Sequence, residues 1–292
     1  MGAGRSSYGE NKVVHYGRSL LQRSPILKEA GECSAMLTNT LKRNLQKRQT
    51  TIGSWITLGH ASIAEIMARA GFEWLVVDME HSAITLQIAQ QLILTIEACG
   101  AIPLVRVEEN NASLIKRVMD AGAYGVIVPM INSKPEAEAA VAAVKYPPVG
   151  TRGVGLARAQ GYGDRFDEYA AAVNDESVVI VQIEHIDAVN NLESILSVEG
   201  VDGCIIGPYD LSGSLGVPGN FEHPDVLAAL EKVEHTCARR NVALGIHIIQ
   251  PDHTLVIERV SKGYTFIAFS LDILFLGNSC REEMSQLRGR LT

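Results

Sequence analysis

A chain of 292 residues that is 47% hydrophobic and 20% charged can bury a large core, as single-domain α/β barrels of this length do. Its formal net charge of −7 is unevenly spread: residues 1–50 hold nine Lys/Arg and three Asp/Glu (+6), whereas the remainder holds 17 against 30 (−13), which argues against a general nucleic-acid binder. No apolar run approaches the ~20 uncharged residues of a membrane span and the N-terminus lacks the pattern of a secretory signal, so a soluble, cytoplasmic protein is expected.

In chain order, residues 1–50 read as a polar, basic extension. The first 35 residues have no clear period, and a short basic helix begins at Met36 (MLTNTLKRNLQKRQT). Organelle targeting is an alternative use of such a segment. From residue 52, short β-branched apolar runs alternate with helix-period segments. The runs are Ile52 to Ile56, Trp74 to Asp78, Pro103 to Val107, Gly125 to Val128, Val178 to Ile183, Gly203 to Ile206, Ala243 to His247 and Phe266 to Phe269. Helices are expected at Ile63 to Ala70, Ile84 to Cys99, Ala112 to Ala121, Pro135 to Lys145, Ala188 to Leu196, Pro224 to Arg240 and Pro251 to Lys262. Several start at a first-turn proline or stop at Gly71, Gly100, Gly122 or Gly263. Eight βα units with no reversal of order predict one closed (β/α)8 barrel over 51–292 rather than an open doubly wound sheet, with its site at the C-terminal strand ends. Five scattered cysteines, none in a CxxC pair, read as reduced thiols.

Those strand ends are polar. Asp78, Glu80 and His81 follow the second strand, Arg106 closes the third, Gln182 and Glu184 the fifth, Asp210 follows the sixth and His247 ends the seventh. Glu184 and Asp210, on neighbouring strands, suit one hard divalent cation with room left for substrate; the competing role is capping of the helices behind them. Arg106 can hold a carboxylate or carbonyl oxygen and stabilise an enolate, or else form a structural ion pair. His81, three residues after Asp78, reads as a general base oriented by that carboxylate. The glycine-rich stretch YPPVGTRGVGLARAQGYG (146–163) fits no dinucleotide fingerprint, and its Arg152 and Arg158 suit a loop closing over an anion. No predicted strand end carries a lysine, so a carbon–carbon enzyme here would need a metal in place of a Schiff base.

From Ile52 to Leu276 the chain resembles the HpcH/HpaI aldolase family of class II pyruvate aldolases. The matching segments are GSWITLGHASIAEIMARAGFEWLVVDMEHSA, PLVRV, DAGAYGVIVPM, YPPVGTRGVG, VQIEHIDAVNN, VEGVDGCIIGPYDLSGSLG and GYTFIAFSLD. The resemblance implies Glu184 and Asp210 as ligands of Mg2+, Mn2+ or Co2+, Arg106 on the pyruvate oxygens, and Gln182, with Gly207 and Pro208, at the substrate. It also implies His81 with Asp78 as the acid/base pair, and a homo-oligomer, a hexamer built as a trimer of dimers. The expected reaction cleaves or forms 4-hydroxy-2-oxo acids, of the 2-keto-3-deoxy sugar acid or 4-hydroxy-2-oxoheptanedioate type, from pyruvate and an aldehyde. The rivals are an oxaloacetate decarboxylase, a macrophomate synthase-like or acyl-CoA lyase, and a non-catalytic barrel that binds a keto acid. The segment GIHIIQPDHTL and the 50-residue head depart from the family's compact pattern.

Overall fold

The structure, a computed structural model, describes Met1 and residues 39–291. Most of the polar extension, with Cys33, the alternative of a targeting segment and the expected helix start at Met36, falls outside those residues. Eight parallel strands form a closed barrel: β1 (Thr51–Ile56), β2 (Trp74–Asp78), β3 (Ile102–Arg106), β4 (Gly125–Val128), β5 (Val178–Ile183), β6 (Gly203–Ile206), β7 (Ala243–Ile248) and β8 (Phe266–Leu271), each paired with its sequence neighbours and β8 with β1. The expected strands are all present, shifted by at most two residues at an end. Among the described residues no helix is long and apolar enough to cross a membrane.

Around the barrel run α1 (Thr40–Gln46), α2 (Ala61–Arg69), α3 (Leu86–Ala98), α4 (Ala112–Asp120), α5 (Lys134–Val144), α6 (Phe166–Glu176), α7 (Ile186–Asn190), α8 (Leu192–Ile195), α9 (Pro208–Ser214), α10 (Pro224–Arg240), α11 (His253–Ser261) and α12 (Asp272–Leu291). Side-chain oxygens or ring nitrogens of Asn39, His60, Thr85, Asn111, His185, His223 and Asp252 accept backbone N–H bonds at helix starts, which sets where those helices begin. Sequence periodicity did not anticipate α6, α9 or α12, because α6 buries only Tyr169 and Val173, α9 only Leu211 and Ser212, and α12 only Asp272.

Alternation along the strands separates two cores. Leu75, Val77, Val105, Val126, Val179 and Val181 pack outward against the helices. Trp74, Val76, Ile102, Leu104, Ile180 and Phe266 fill the interior. The Trp74 and Phe266 rings stack at 4.1 Å, and Gly53 makes room, since a Cβ there would lie 2.0 Å from the Trp74 ring. Below them α1 closes the N-terminal end: Leu41 and Leu45 join the interior cluster, Asn39 donates to the carbonyls of Tyr124 and Glu176, and Lys42 bonds Ser177 O and Asp202.

The glycine-rich stretch 146–163 corrects one expectation. It lies between α5 and α6, on the return path to the start of β5, and not among the connections that leave the C-terminal strand ends. The Arg152 side chain has 0% exposure and bonds Asp120, the Tyr169 hydroxyl and Val144 O, and Arg158 pairs with Glu97. Both guanidiniums are committed to the scaffold, so the loop holds no free cation for a substrate.

Candidate active site

The same alternation selects what faces the barrel mouth. In β2, Trp74 and Val76 point inward, so Asp78 does too; in β3, Ile102 and Leu104 are followed by Arg106, and in β5, Val178 and Ile180 by Gln182. A cavity of about 340 Å3 opens at this end, lined by Trp55, His81, Arg106, Gln182, Asp210 and His247 together with Gly207 and Pro208. No lysine is among its lining residues; Lys145 is spent instead near the barrel floor, on Asn174 O and Ser177.

Arg106 is the hub. Its Nε and Nη2 donate to the two oxygens of Asp78 at 2.9 and 2.7 Å, Nη1 lies 3.1 Å from Glu80 Oε2, and its guanidinium covers the Trp55 ring at 4.3 Å. Asp78 also accepts the backbone N–H groups of Glu80 and His81. The expectation that Asp78 orients the His81 imidazole is therefore corrected: both its oxygens are taken by the Arg106 fork. The carboxylate nearest the His81 ring is Glu80, 3.9 Å from Nε2, and the His81 side chain is 66% exposed at the mouth.

Glu80 is the site residue to which sequence reasoning gave no role. Its Oε2 is buried, and the Arg106 Nη1 beside it makes an ion pair but no well-directed hydrogen bond. Burial pushes the carboxyl up to about 7; Arg106 opposes this, and the charges of Glu184, Asp78 and Asp210 add to it. The available signal was its position: two residues past an inward Asp at a strand end, Glu80 faces the same mouth.

Glu184 is buried and Asp210 exposed. Glu184 Oε1 accepts the Met130 N–H at 2.7 Å and Oε2 accepts the Gln182 amide at 2.5 Å. Neither carboxylate caps a helix: α7 is capped by His185 and α9 has no side-chain cap. Gly207 borders Glu184 so closely that a Cβ there would lie 2.9 Å from Oε2. Asp78 and Glu80 contact the Arg106 guanidinium, and the charges of Glu184 and Asp210 reach Glu80, so acids outnumber the one cation, an excess that a divalent cation would neutralise. Among the described residues no cluster of three or more metal-ligating side chains occurs, so a cation held by Glu184 and Asp210 would keep positions for substrate or water.

A family model described as HpcH/HpaI aldolase/citrate lyase matches residues 51–278. The 2-keto-3-deoxy-L-rhamnonate aldolase of Klebsiella pneumoniae is 38% identical over 243 residues, 82% of this chain and 90% of its own length. Its counterpart in Escherichia coli is 36% identical over 257 residues, 87% and 95%. A crystal structure of an HpcH/HpaI aldolase/citrate lyase family protein from Burkholderia cenocepacia superposes with a TM-score of 0.82 at 35% identity, covering 86% of this chain and all of that one.

Proposed function

The chain belongs to the HpcH/HpaI aldolase/citrate lyase family, and from that premise we propose that it is a divalent-metal-dependent aldolase that splits 4-hydroxy-2-oxo acids into pyruvate and an aldehyde. The observation that carries this reading is the convergence of Arg106, Gln182 and Asp210 on one cavity, with Glu184 bonded to Gln182 beside it and no lysine among the described lining residues. The named activity of the Klebsiella and Escherichia relatives makes a 2-keto-3-deoxy sugar acid the favoured substrate class.

Glu184 and Asp210 would hold Mg2+, Mn2+ or Co2+, which when bound supplies positive charge against the oxygen that becomes the enolate. Arg106, kept in place by Asp78 and Trp55, binds the carboxylate and oxo group of the substrate and stabilises charge as it grows there. The Gln182 amide, by donating to Glu184, fixes that carboxylate's direction. His81, at the open mouth, accepts the proton of the C4 hydroxyl as the bond between C3 and C4 breaks. The electron pair of that bond forms the enolate, and a proton returned to C3 completes pyruvate, so hydrogen is conserved overall.

We further read α12 as an interface element. After Asp272, which accepts bonds from Thr57 and Leu58, none of its residues is buried. Leu276, Met284, Leu287 and Leu291 stay 47–78% exposed, as do Ile66 on α2 and Ile257 on α11, the helices that would flank an eighth outer helix. A second copy that covers these surfaces would give the homo-oligomer. The decisive experiment for the activity supplies pyruvate and lactaldehyde to enzyme stripped with chelator. Product should form only after Mg2+, Mn2+ or Co2+ is restored; a pyruvate adduct trapped on lysine by borohydride would refute the metal mechanism.

A further inference from the structure

We propose that His247 is a specificity-determining residue of this site, whose Nδ1 accepts a hydrogen bond from the hydroxyl on C5 of the substrate and so selects hydroxylated 2-oxo acids over their deoxy counterparts. The inference rests on the aldolase reading above.

Three observations carry it. First, His247 Nε2 lies 3.3 Å from the carbonyl oxygen of Ser270, and a carbonyl can only accept. In the neutral ring Nε2 must therefore hold the hydrogen, which leaves Nδ1 as a lone-pair acceptor. Among the described residues Nδ1 has no hydrogen-bond partner, although the ring lines the cavity. Second, Ser270 is held where it must be to set that tautomer. It is fully buried with φ at +53°, in the left-handed region that a serine adopts only under strain. Its carbonyl also accepts from Ser54 and its hydroxyl donates to Ile249 O. A strained residue fixed from three sides supports a preorganised ring better than a packing accident does. Third, the cavity wall runs in sequence from Arg106 across the Trp55 ring, 4.3 Å away, to His247, whose ring centroid is 5.5 Å from that of Trp55. A substrate held by its oxo-acid head at Arg106 would lie along Trp55 with its far carbons against His247.

Burial, with Arg106 nearby, holds the imidazole down to about 4, partly opposed by the Ser270 carbonyl and Asp78, so at neutral pH the ring is uncharged and the acceptor is available. An acceptor left without its donor in a buried site costs about 1–3 kcal/mol, a preference of roughly tenfold to a hundredfold.

The test uses two aldehydes of nearly equal shape in addition to pyruvate: lactaldehyde, whose hydroxyl becomes that of C5, and 2-methylpropanal, which has a methyl group instead. The parent enzyme should favour lactaldehyde in kcat/KM by about tenfold or more. His247→Phe keeps an aromatic ring beside Trp55 but has no acceptor, and should bring the ratio close to one; His247→Asn restores an acceptor and should recover part of it. A parent with no preference, or a phenylalanine variant with the parental ratio, would overturn the assignment. Metal-dependent exchange of the pyruvate methyl protons with deuterated solvent, followed by NMR in the parent, separates the two readings. Its absence would remove the aldolase mechanism, whereas normal exchange with unaltered discrimination would remove only the role of His247.

Discussion

At the scale of single residues, a carboxyl group set among others has a consequence for stability that depends on pH. Glu80 titrates near 7 in the folded chain and near 4.5 when unfolded. Below pH 4.5 both states hold the proton and nothing is lost. As pH rises from 4.5 to 7 the unfolded chain releases it first, so the folded state loses stability, and above 7 the loss is complete at up to about 3 kcal/mol. The ion pair with Arg106 opposes this but does not outweigh burial. Glu80→Gln is therefore expected to raise Tm relative to the parent at pH 8, in chelator, and to leave it nearly unchanged at pH 4.5. Thermal unfolding at the two pH values would decide the matter; a variant less stable than the parent at pH 8 would mean that the Arg106 contact dominates.

Elements, and not residue types alone, determine what meets at the mouth, and here the limits of the sequence become visible. A period of two along each apolar run was enough to place Asp78, Arg106, Gln182 and Glu184 on the inner face, because each follows inward-pointing residues at even spacing. What each side chain bonds could not be read from spacing. Asp78 and His81 are three residues apart in the chain, yet Arg106 is 28 residues away and takes the carboxylate, since β2 and β3 pair with Asp78 and Arg106 in register. The glycine-rich stretch failed for a related reason: arginine content does not tell which end of a barrel a loop occupies. Gly207 shows the reverse case, where a residue with no side chain shapes the site. Its φ of −97° is open to alanine, but the added methyl would press on the Glu184 carboxylate. Gly207→Ala should weaken Mn2+ binding by about tenfold to a hundredfold with Tm nearly preserved. Calorimetric titration checks this, and an unaltered Kd would show that Glu184 is not a ligand.

For the whole molecule, α12 is an element whose apolar side chains Leu276, Met284, Leu287 and Leu291 no described residue buries. The sequence indicated this only as far as the apolar stretch Leu271 to Leu276, and the remainder, REEMSQLRGRL, reads as polar although it continues the helix. Its first turn is anchored by Phe275 against Phe72 and Phe269, so charge placed farther along should spare the barrel. Light scattering at micromolar concentration is expected to give an oligomeric mass for the parent and a smaller one for a Leu276→Asp, Met284→Asp double variant. A monomeric parent would reject the interface.

The stacked pair Trp74 and Phe266, sealed from below by Leu41 and Leu45, makes the barrel a cup and not a tube. Everything that enters or leaves must use one doorway, so the order of departure follows grip. The half of the substrate held by the Arg106 fork is bound by charge, the other half by the neutral Trp55 and His247 rings, and the aldehyde is expected to go before pyruvate. Kinetics should then be of the ordered kind: pyruvate competes with the substrate for the empty enzyme, whereas the aldehyde inhibits in a noncompetitive pattern because it meets the enzyme only while pyruvate is still inside. If the aldehyde instead proved competitive, it would be meeting the empty enzyme, and release through the single mouth would not be ordered.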